Sequence, residues 1–252
     1  MRRIDSNHEF SYSLVSNYEK WLNSESDYNK FYSNSENAMT VDEFDLSRRL
    51  NFYAHLFKLS FPPEHEQDDT SLVLGRTFET ALNALLIQDT LGFVSNKYDA
   101  YYVYLNDDYK TLIENRTKNP PEQQVKIKGV LPNGLNFIGY ADEVYTNCII
   151  DIKTTSNFNK ANYDSSLQIA LYLHFIDDYP VQRGFYQVTE FYRSKAAGKS
   201  NEFTMKDTFM IESQHITERQ LIEFSQKCAE ILKNVSLFEK DLDNYKAYFE
   251  QF

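Results

Sequence analysis

Apolar side chains recur at helical spacing in two early runs, Tyr12, Val15, Tyr18 and Leu22, then Phe44, Leu50, Tyr53, Leu56 and Phe57. Each set falls on one face of a 3.6-residue helix. Between them SESDYNKFYSNSEN is polar and reads as a loop. The paired prolines of FPPEHEQDDT end the second helix, because proline cannot continue one. A third helix is predicted from Gly75 to about Asp89, with Phe78, Leu82, Leu85 and Leu86 on its buried face. Tyr98 to Asn115 is ambiguous, with helical character towards its end. The apolar period then shortens, and strands are predicted over Gln124–Leu131, Leu135–Tyr145 and Asn147–Lys153. Pro132-Asn133-Gly134 is the hairpin turn between the first two. A helix over Asn162–Asp177 follows, then strands over Gln182–Tyr192 and Phe203–Ile211. A long amphipathic helix carrying Leu221, Phe224, Cys228, Ile231 and Val235 closes the pattern.

Three strands, a helix and a further strand predict an α/β fold, a mixed central sheet flanked by helices. We read 1–252 as one domain: a helical addition over 1–70, a core over 71–192, and a C-terminal strand and helices over 193–252. The length suffices for a substantial core, and the ordinary apolar and charged fractions fit a folded protein. No apolar run is long enough for a membrane helix. The opening MRRIDSNHEF lacks the apolar stretch of a secretory signal. These features predict an intracellular protein without a membrane partner. Cys148 and Cys228, far apart, are read as ordinary part-buried thiols that form no disulfide framework, zinc site or iron–sulfur site. The net charge of −11 argues against a broad basic surface for nucleic acid. It leaves room for a carboxylate-rich metal site beside a local basic strip. The excess of Tyr and Phe, 19 each against 7 Gly, is what an AT-rich coding sequence produces and hints at a phage or low-GC genome.

The chemistry concentrates around IIDIKTTS, residues 149–156. In a strand alternate side chains face opposite ways, so Ile150 and Ile152 share one face and Asp151 and Lys153 the other. The plain explanation is a salt bridge at a sheet end. The functional one is a metal ligand beside a lysine that positions or polarises the attacking water. Alone, Asp-x-Lys says little, and Asp108-Tyr-Lys110 is a decoy in a polar segment. Asp151 gains weight from GYADEV, which places Asp142 nine residues earlier near the end of an apolar strand. A tight turn at Thr146-Asn147 brings Asp142 alongside Asp151. Two such carboxylates repel unless protonated or bridged by a cation. Mg²⁺ suits that role, since it takes oxygen ligands and binds phosphate oxygens. Upstream, LGRTFETAL holds Gly75 and Glu79 one helical turn apart, Glu79 at the edge of the apolar stripe. Downstream, SSLQIALYL sets Gln168 and Tyr172 on one helix face. Taken singly, Glu79 reads as a solvated or capping residue and Gln168 with Tyr172 as a surface pair.

In order and context, Gly75/Glu79, Gly139/Asp142, Asp151/Lys153/Thr154 and Gln168/Tyr172 resemble the motif series of PD-(D/E)xK nucleases, in their RecB-like and λ-exonuclease-like branch. The resemblance spans Gly75 to Tyr172 and implies a restriction-endonuclease-like core. It implies that Asp142 and Asp151 bind Mg²⁺, or Mn²⁺ in its place, with the Ile152 carbonyl as a further ligand. Lys153 would orient the water or stabilise charge, and Gln168, Tyr172 and Thr154 would serve the substrate strand. Glu79 stands where many RecB-like enzymes have histidine and λ-exonuclease-like enzymes have glutamate, which leaves one or two metals open. Some relatives add an iron–sulfur cluster, for which this chain lacks the cysteines.

Two basic segments are candidates for phosphate: Arg116, Lys118, Lys126 and Lys128, and the loop with Arg193, Lys195 and Lys199. None of the five histidines has metal-ligand spacing with another. The expected activity is exonucleolytic hydrolysis of DNA, acting on single- or double-stranded ends in recombination, repair or replication. The alternatives are a structure-specific or defence-type endonuclease, and a non-catalytic nuclease-like module that binds a protein partner. A homo-oligomer is compatible with each.

Overall fold

A computed structural model describes residues 4, 7–32, 39–59, 70–94, 100–195 and 201–249. In chain order the elements are β1 (Glu9–Phe10), α1 (Tyr12–Leu22), α2 (Ser24–Tyr32), α3 (Val41–Phe57), α4 (Thr70–Asn83), β2 (Thr90–Val94), β3 (Ala100–Tyr104) and α5 (Asp107–Lys118). There follow β4 (Glu122–Val130), β5 (Asn136–Val144), β6 (Cys148–Thr155), α6 (Lys160–Asp164), α7 (Gln168–Phe175), β7 (Arg183–Arg193), β8 (Glu202–Ser213) and α8 (Glu218–Leu242). The strands make one mixed sheet in the order β1-β5-β6-β7-β8-β3-β2, with β4 beside β5. The predicted class, an α/β fold with a mixed sheet flanked by helices, is the class observed. Among the described residues no helix is long and apolar enough to cross a membrane.

By contacts the chain divides into two units, one of residues 1–65, 128–139 and 217–252, the other of residues 66–127 and 140–216. The first is built from α1, α2, α3 and α8. Ser11 caps α1, and capping boxes at Thr40/Glu43 and Thr217/Gln220 start α3 and α8. Its core stacks aromatic rings: Tyr18 and Phe238 lie 5.1 and 5.2 Å from Phe52, and Trp21 stacks on Phe52 at 5.5 Å. All five apolar positions read into the last helix are buried in α8. The predicted hairpin turn is present here, with Gly134 at φ +82° and its N–H bonded to the Leu131 carbonyl at 2.8 Å.

The loop expected over 24–37 is corrected, because Ser24–Tyr32 form α2. That helix is held by contacts invisible to an apolar pattern. Ser24 donates to Asp45 at 2.6 Å, Arg48 pairs with Asp27 at 2.6 Å, and Tyr28 packs edge-on to Phe44. Residues 61–69, where the two prolines were read as a helix stop, lie outside the described residues.

The second unit holds the rest of the sheet. Strand β6 pairs parallel with β7 along its whole length, Cys148↔Arg183 to Thr155↔Glu190. The connection between them is α6 and α7. Helix α4 covers the sheet face bearing Ile152, Phe191 and Met205, through Leu74, Phe78 and Leu82. Ile169 of α7 and Tyr163 of α6 cover the face bearing Tyr186, Val188 and Ile211. Three predictions change in this unit. Helix α4 stops at Asn83, so Leu85 and Leu86 are exposed rather than core. The stretch before α5 contains a hairpin, β2 and β3. Its alternation was hidden because the outward residues Tyr102 and Tyr104 are tyrosines, not polar groups. The helix expected over 162–177 is two pieces, broken where Ser166 accepts a 2.7 Å hydrogen bond from Tyr186.

Candidate active site

Along β6 the alternation expected from the sequence holds. Ile152 is in the core beneath α4 with Ile150 packed against it, while Asp151 and Lys153 take the opposite face. Asp151 is only 1% exposed. Its Oδ1 accepts a 2.8 Å hydrogen bond from Gln168 Nε2, which also donates to the Tyr172 hydroxyl at 3.0 Å. Lys153 Nζ lies 2.5 Å from Asp151 Oδ2. The ammonium is therefore the partner of this buried oxygen, as Gln168 is of the other. Burial pushes the Asp151 carboxyl up to about 6, against the pull of Lys153 and with added repulsion from Asp142. For Lys153, burial alone would lower the pKa. The charges of Asp151 and then Asp142 outweigh it and hold the ammonium above the usual lysine range. Its side chain keeps 37% exposure, so water still reaches the pair and weakens it relative to a sealed one.

Asp142 comes from β5. The antiparallel ladder Glu143↔Ile150 and Val144↔Ile149 would continue to Asp142 opposite Asp151. It ends instead, and the Asp142 side chain takes over the backbone's part: its Oδ2 accepts the Ile152 N–H at 2.7 Å. The short β5–β6 turn thus brings the two carboxylates into each other's field, as the nine-residue spacing predicted. Glu79 joins them from α4. Burial and then Asp142 raise its pKa, with Asp151 adding to the rise and Lys153 opposing it. One carboxamide spans this group: Gln124 Nε2 donates to Glu79 Oε1 at 2.7 Å and to Asp142 Oδ1 at 3.3 Å. Among the described residues no three acidic, histidine or cysteine side chains converge into a ready-made metal cage. Hydrogen bonds from Gln124, Gln168 and the Ile152 N–H, together with the Lys153 ammonium, occupy the carboxylates instead.

Two glycines let the helices come close enough to place these groups. A Cβ on Gly75 of α4 would lie 3.0 Å from Thr154 Oγ1 of β6, so the helix carrying Glu79 seats directly on the strand carrying Asp151. A Cβ on Gly184 of β7 would lie 2.1 Å from Ile169 Cγ2, so α7 can pack over the sheet and present Gln168 at its first turn. The Tyr172 hydroxyl meets the backbone of Tyr140 as well as Gln168, and burial followed by Asp151 pushes it up to about 12. Gln168 and Tyr172, a surface pair by one reading, are therefore part of the cluster.

The basic candidates fare differently. Arg116 is buried and cannot reach phosphate: its guanidinium makes 2.6 and 3.0 Å bonds to Glu143 and a 3.0 Å bond to Gln187. Lys118 pairs with Glu114, Lys128 with Glu9, and Lys126 lies 6.0 Å from the Tyr140 ring. Arg193 reaches over the rings of Tyr101 and Phe203, and Lys195 is exposed after β7. Lys199 lies outside the described residues. The decoy Asp108 and Lys110 belong to the first turn of α5, where Lys110 pairs with Asp107 and Asp89.

Sequence reading missed Gln124 and Glu143. Nothing around Gln124 distinguishes it from a strand-edge glutamine. Glu143, by contrast, is an acid inside the apolar strand GYADEV and could have been flagged as needing a buried cation. No family model matches the chain, and no curated protein does.

Proposed function

We propose that the chain is a Mg²⁺-dependent deoxyribonuclease of the PD-(D/E)xK type, hydrolysing phosphodiester bonds at DNA ends in recombination, repair or replication. The observation that carries the reading is the Asp151 carboxylate. It is buried, it is paired with Lys153, and it lies in the field of Asp142 and Glu79. Three carboxylates against one ammonium leave an excess of negative charge that a dication would neutralise. The donor set is all oxygen, which fits Mg²⁺ with Mn²⁺ as substitute. Asp142, Asp151, Glu79 and the Ile152 carbonyl are the residues that would hold it. When bound, such a cation polarises phosphoryl oxygen and neutralises developing charge.

The chain's own groups would do the rest. Lys153 remains an ammonium at neutral pH, so it donates a hydrogen bond to water or phosphate and does not act as a base. Gln168, braced by Tyr172, fixes the rotamer of Asp151. Glutamate rather than histidine at position 79 favours the λ-exonuclease-like branch of the resemblance, hence action at ends.

The test is cleavage of end-labelled linear and closed circular DNA with Mg²⁺, Mn²⁺ or EDTA. Wild type is expected to degrade linear DNA in either metal and leave circles intact. Asp142→Asn and Lys153→Ala are expected to lose about a hundredfold or more of the rate while staying folded. Nicked circles would replace the exonuclease by an endonuclease. Equal inertness of wild type and variants on both substrates would sink the enzyme reading in favour of a binding module.

A further inference from the structure

Gln124 occupies the position between Glu79 and Asp142 that the metal reading assigns to a cation, and the inference rests on that reading. The residue belongs to β4, yet its φ is +51°, a left-handed conformation that glutamine adopts only where its surroundings impose it. The result is a carboxamide aimed at two carboxylates, with Nε2 2.7 Å from Glu79 Oε1 and 3.3 Å from Asp142 Oδ1. The nitrogen must be the atom that faces them, since turning the amide over would set its oxygen against both carboxylates. A neutral amide is thus doing in part what a cation would do, and Glu79 still feels the repulsion of Asp142. The neighbouring donors are engaged elsewhere: the Ile152 N–H is given to the second oxygen of Asp142, and the Lys153 ammonium is turned to Asp151. Gln124 is exposed, so its side chain can swing into solvent without disturbing the core.

We propose that Gln124 is a displaceable placeholder: its carboxamide holds Glu79 and Asp142 in position, yields to an incoming divalent cation, and so sets the affinity for that cation. A cation entering the wild-type site must break the amide's two hydrogen bonds to charged groups. Removing the amide removes that competition and leaves two carboxylates whose repulsion only a cation relieves.

The experiment is a titration of the full chain with Mn²⁺, without DNA, followed by electron paramagnetic resonance of the free ion. Wild type is expected to bind Mn²⁺ at a site lost in both Asp142→Asn and Asp151→Ala. Gln124→Ala is expected to bind about tenfold more tightly, the scale set by hydrogen bonds to charged groups. Gln124→Gly removes the same carboxamide, suits φ +51°, and serves where alanine does not fold. Mn²⁺ binding that is equal or weaker in the Gln124 variants, with the wild-type site intact, would overturn the placeholder while leaving the metal reading standing. No acid-dependent Mn²⁺ site in wild type would overturn both.

Discussion

Arg116 and Glu143 share two hydrogen bonds with both side chains sealed from water, and Glu143 adjoins Asp142 on β5. Tyr145 and Gln187 complete the set, donating to Glu143 at 3.1 Å and accepting from Arg116 at 3.0 Å. Bringing both charges out of water offsets much of their attraction, so the pair as a whole adds little stability. Removing one partner is another matter, because it strands the other charge in the interior. Arg116→Ala is therefore expected to destabilise the protein by about 3–5 kcal/mol, whereas Arg116→Met with Glu143→Leu recovers most of that loss. Exposed pairs such as Arg219–Glu223 contribute little, being screened by water, and make the control. Urea denaturation of the single and double variants decides it. A loss below 1 kcal/mol in Arg116→Ala would show that water reaches Glu143. The same pair marks a limit of sequence reading. Strand alternation sufficed to put Asp151 and Lys153 on one face, but Arg116 looked like surface because α5 is mostly polar and its partner lies in another element.

Helix α4 ends in a Schellman-type turn, with Leu86 N–H bonded to the Ala81 carbonyl at 3.0 Å and Leu85 N–H to Leu82 at 3.1 Å. The pivot is Leu85 at φ +51°, a conformation that favours glycine and disfavours a leucine by about 1–2 kcal/mol. Leu85 is also largely outside the core, so little packing is lost on truncation. Leu85→Gly is expected to stabilise the protein by about 1 kcal/mol, read as a higher urea midpoint at unchanged slope. A lower midpoint would mean that the leucine packs against more than the structure shows. This turn explains why the helix was read as reaching Asp89: no glycine announces the stop, and leucines at 82, 85 and 86 prolong the apolar stripe. Strands β5 to β8 were legible almost to their ends, and α8 by the residues of its buried face. Helix α2, held by cross-helix polar contacts, and β3, with tyrosines facing out, were not. In the site, Asp142, Asp151 and Lys153 could be brought together from strand alternation and a short turn, whereas Gln168 and Tyr172 joined them only through the family resemblance. Gln124 could be reached by neither, because its part depends on a left-handed backbone that its own residue type opposes.

Every residue proposed to hold metal belongs to the unit of residues 66–127 and 140–216, and none to the other unit. That division turns the metal reading into a statement about the stability of the whole chain. A ligand that binds only the folded state stabilises it by about 2.7 kcal/mol at a hundred times its dissociation constant. For a chain of this size that corresponds to a rise in melting temperature of roughly 5–10 °C if it melts as one. If calorimetry resolves two transitions, only the one belonging to the site's unit should move. With a net charge of −11, Mg²⁺ also stabilises by screening, which has nothing to do with a site. Melting must therefore be compared at constant ionic strength, and against Asp151→Asn, which keeps the size of the side chain and removes its charge. That variant deletes a charge that burial disfavours but also takes from Lys153 its paired carboxylate, so its own melting in EDTA is measured as the baseline. The Mg²⁺-induced rise should persist in wild type at constant ionic strength and vanish in Asp151→Asn. An equal rise in both proteins would assign the effect to general screening and remove the cation from the carboxylate cluster.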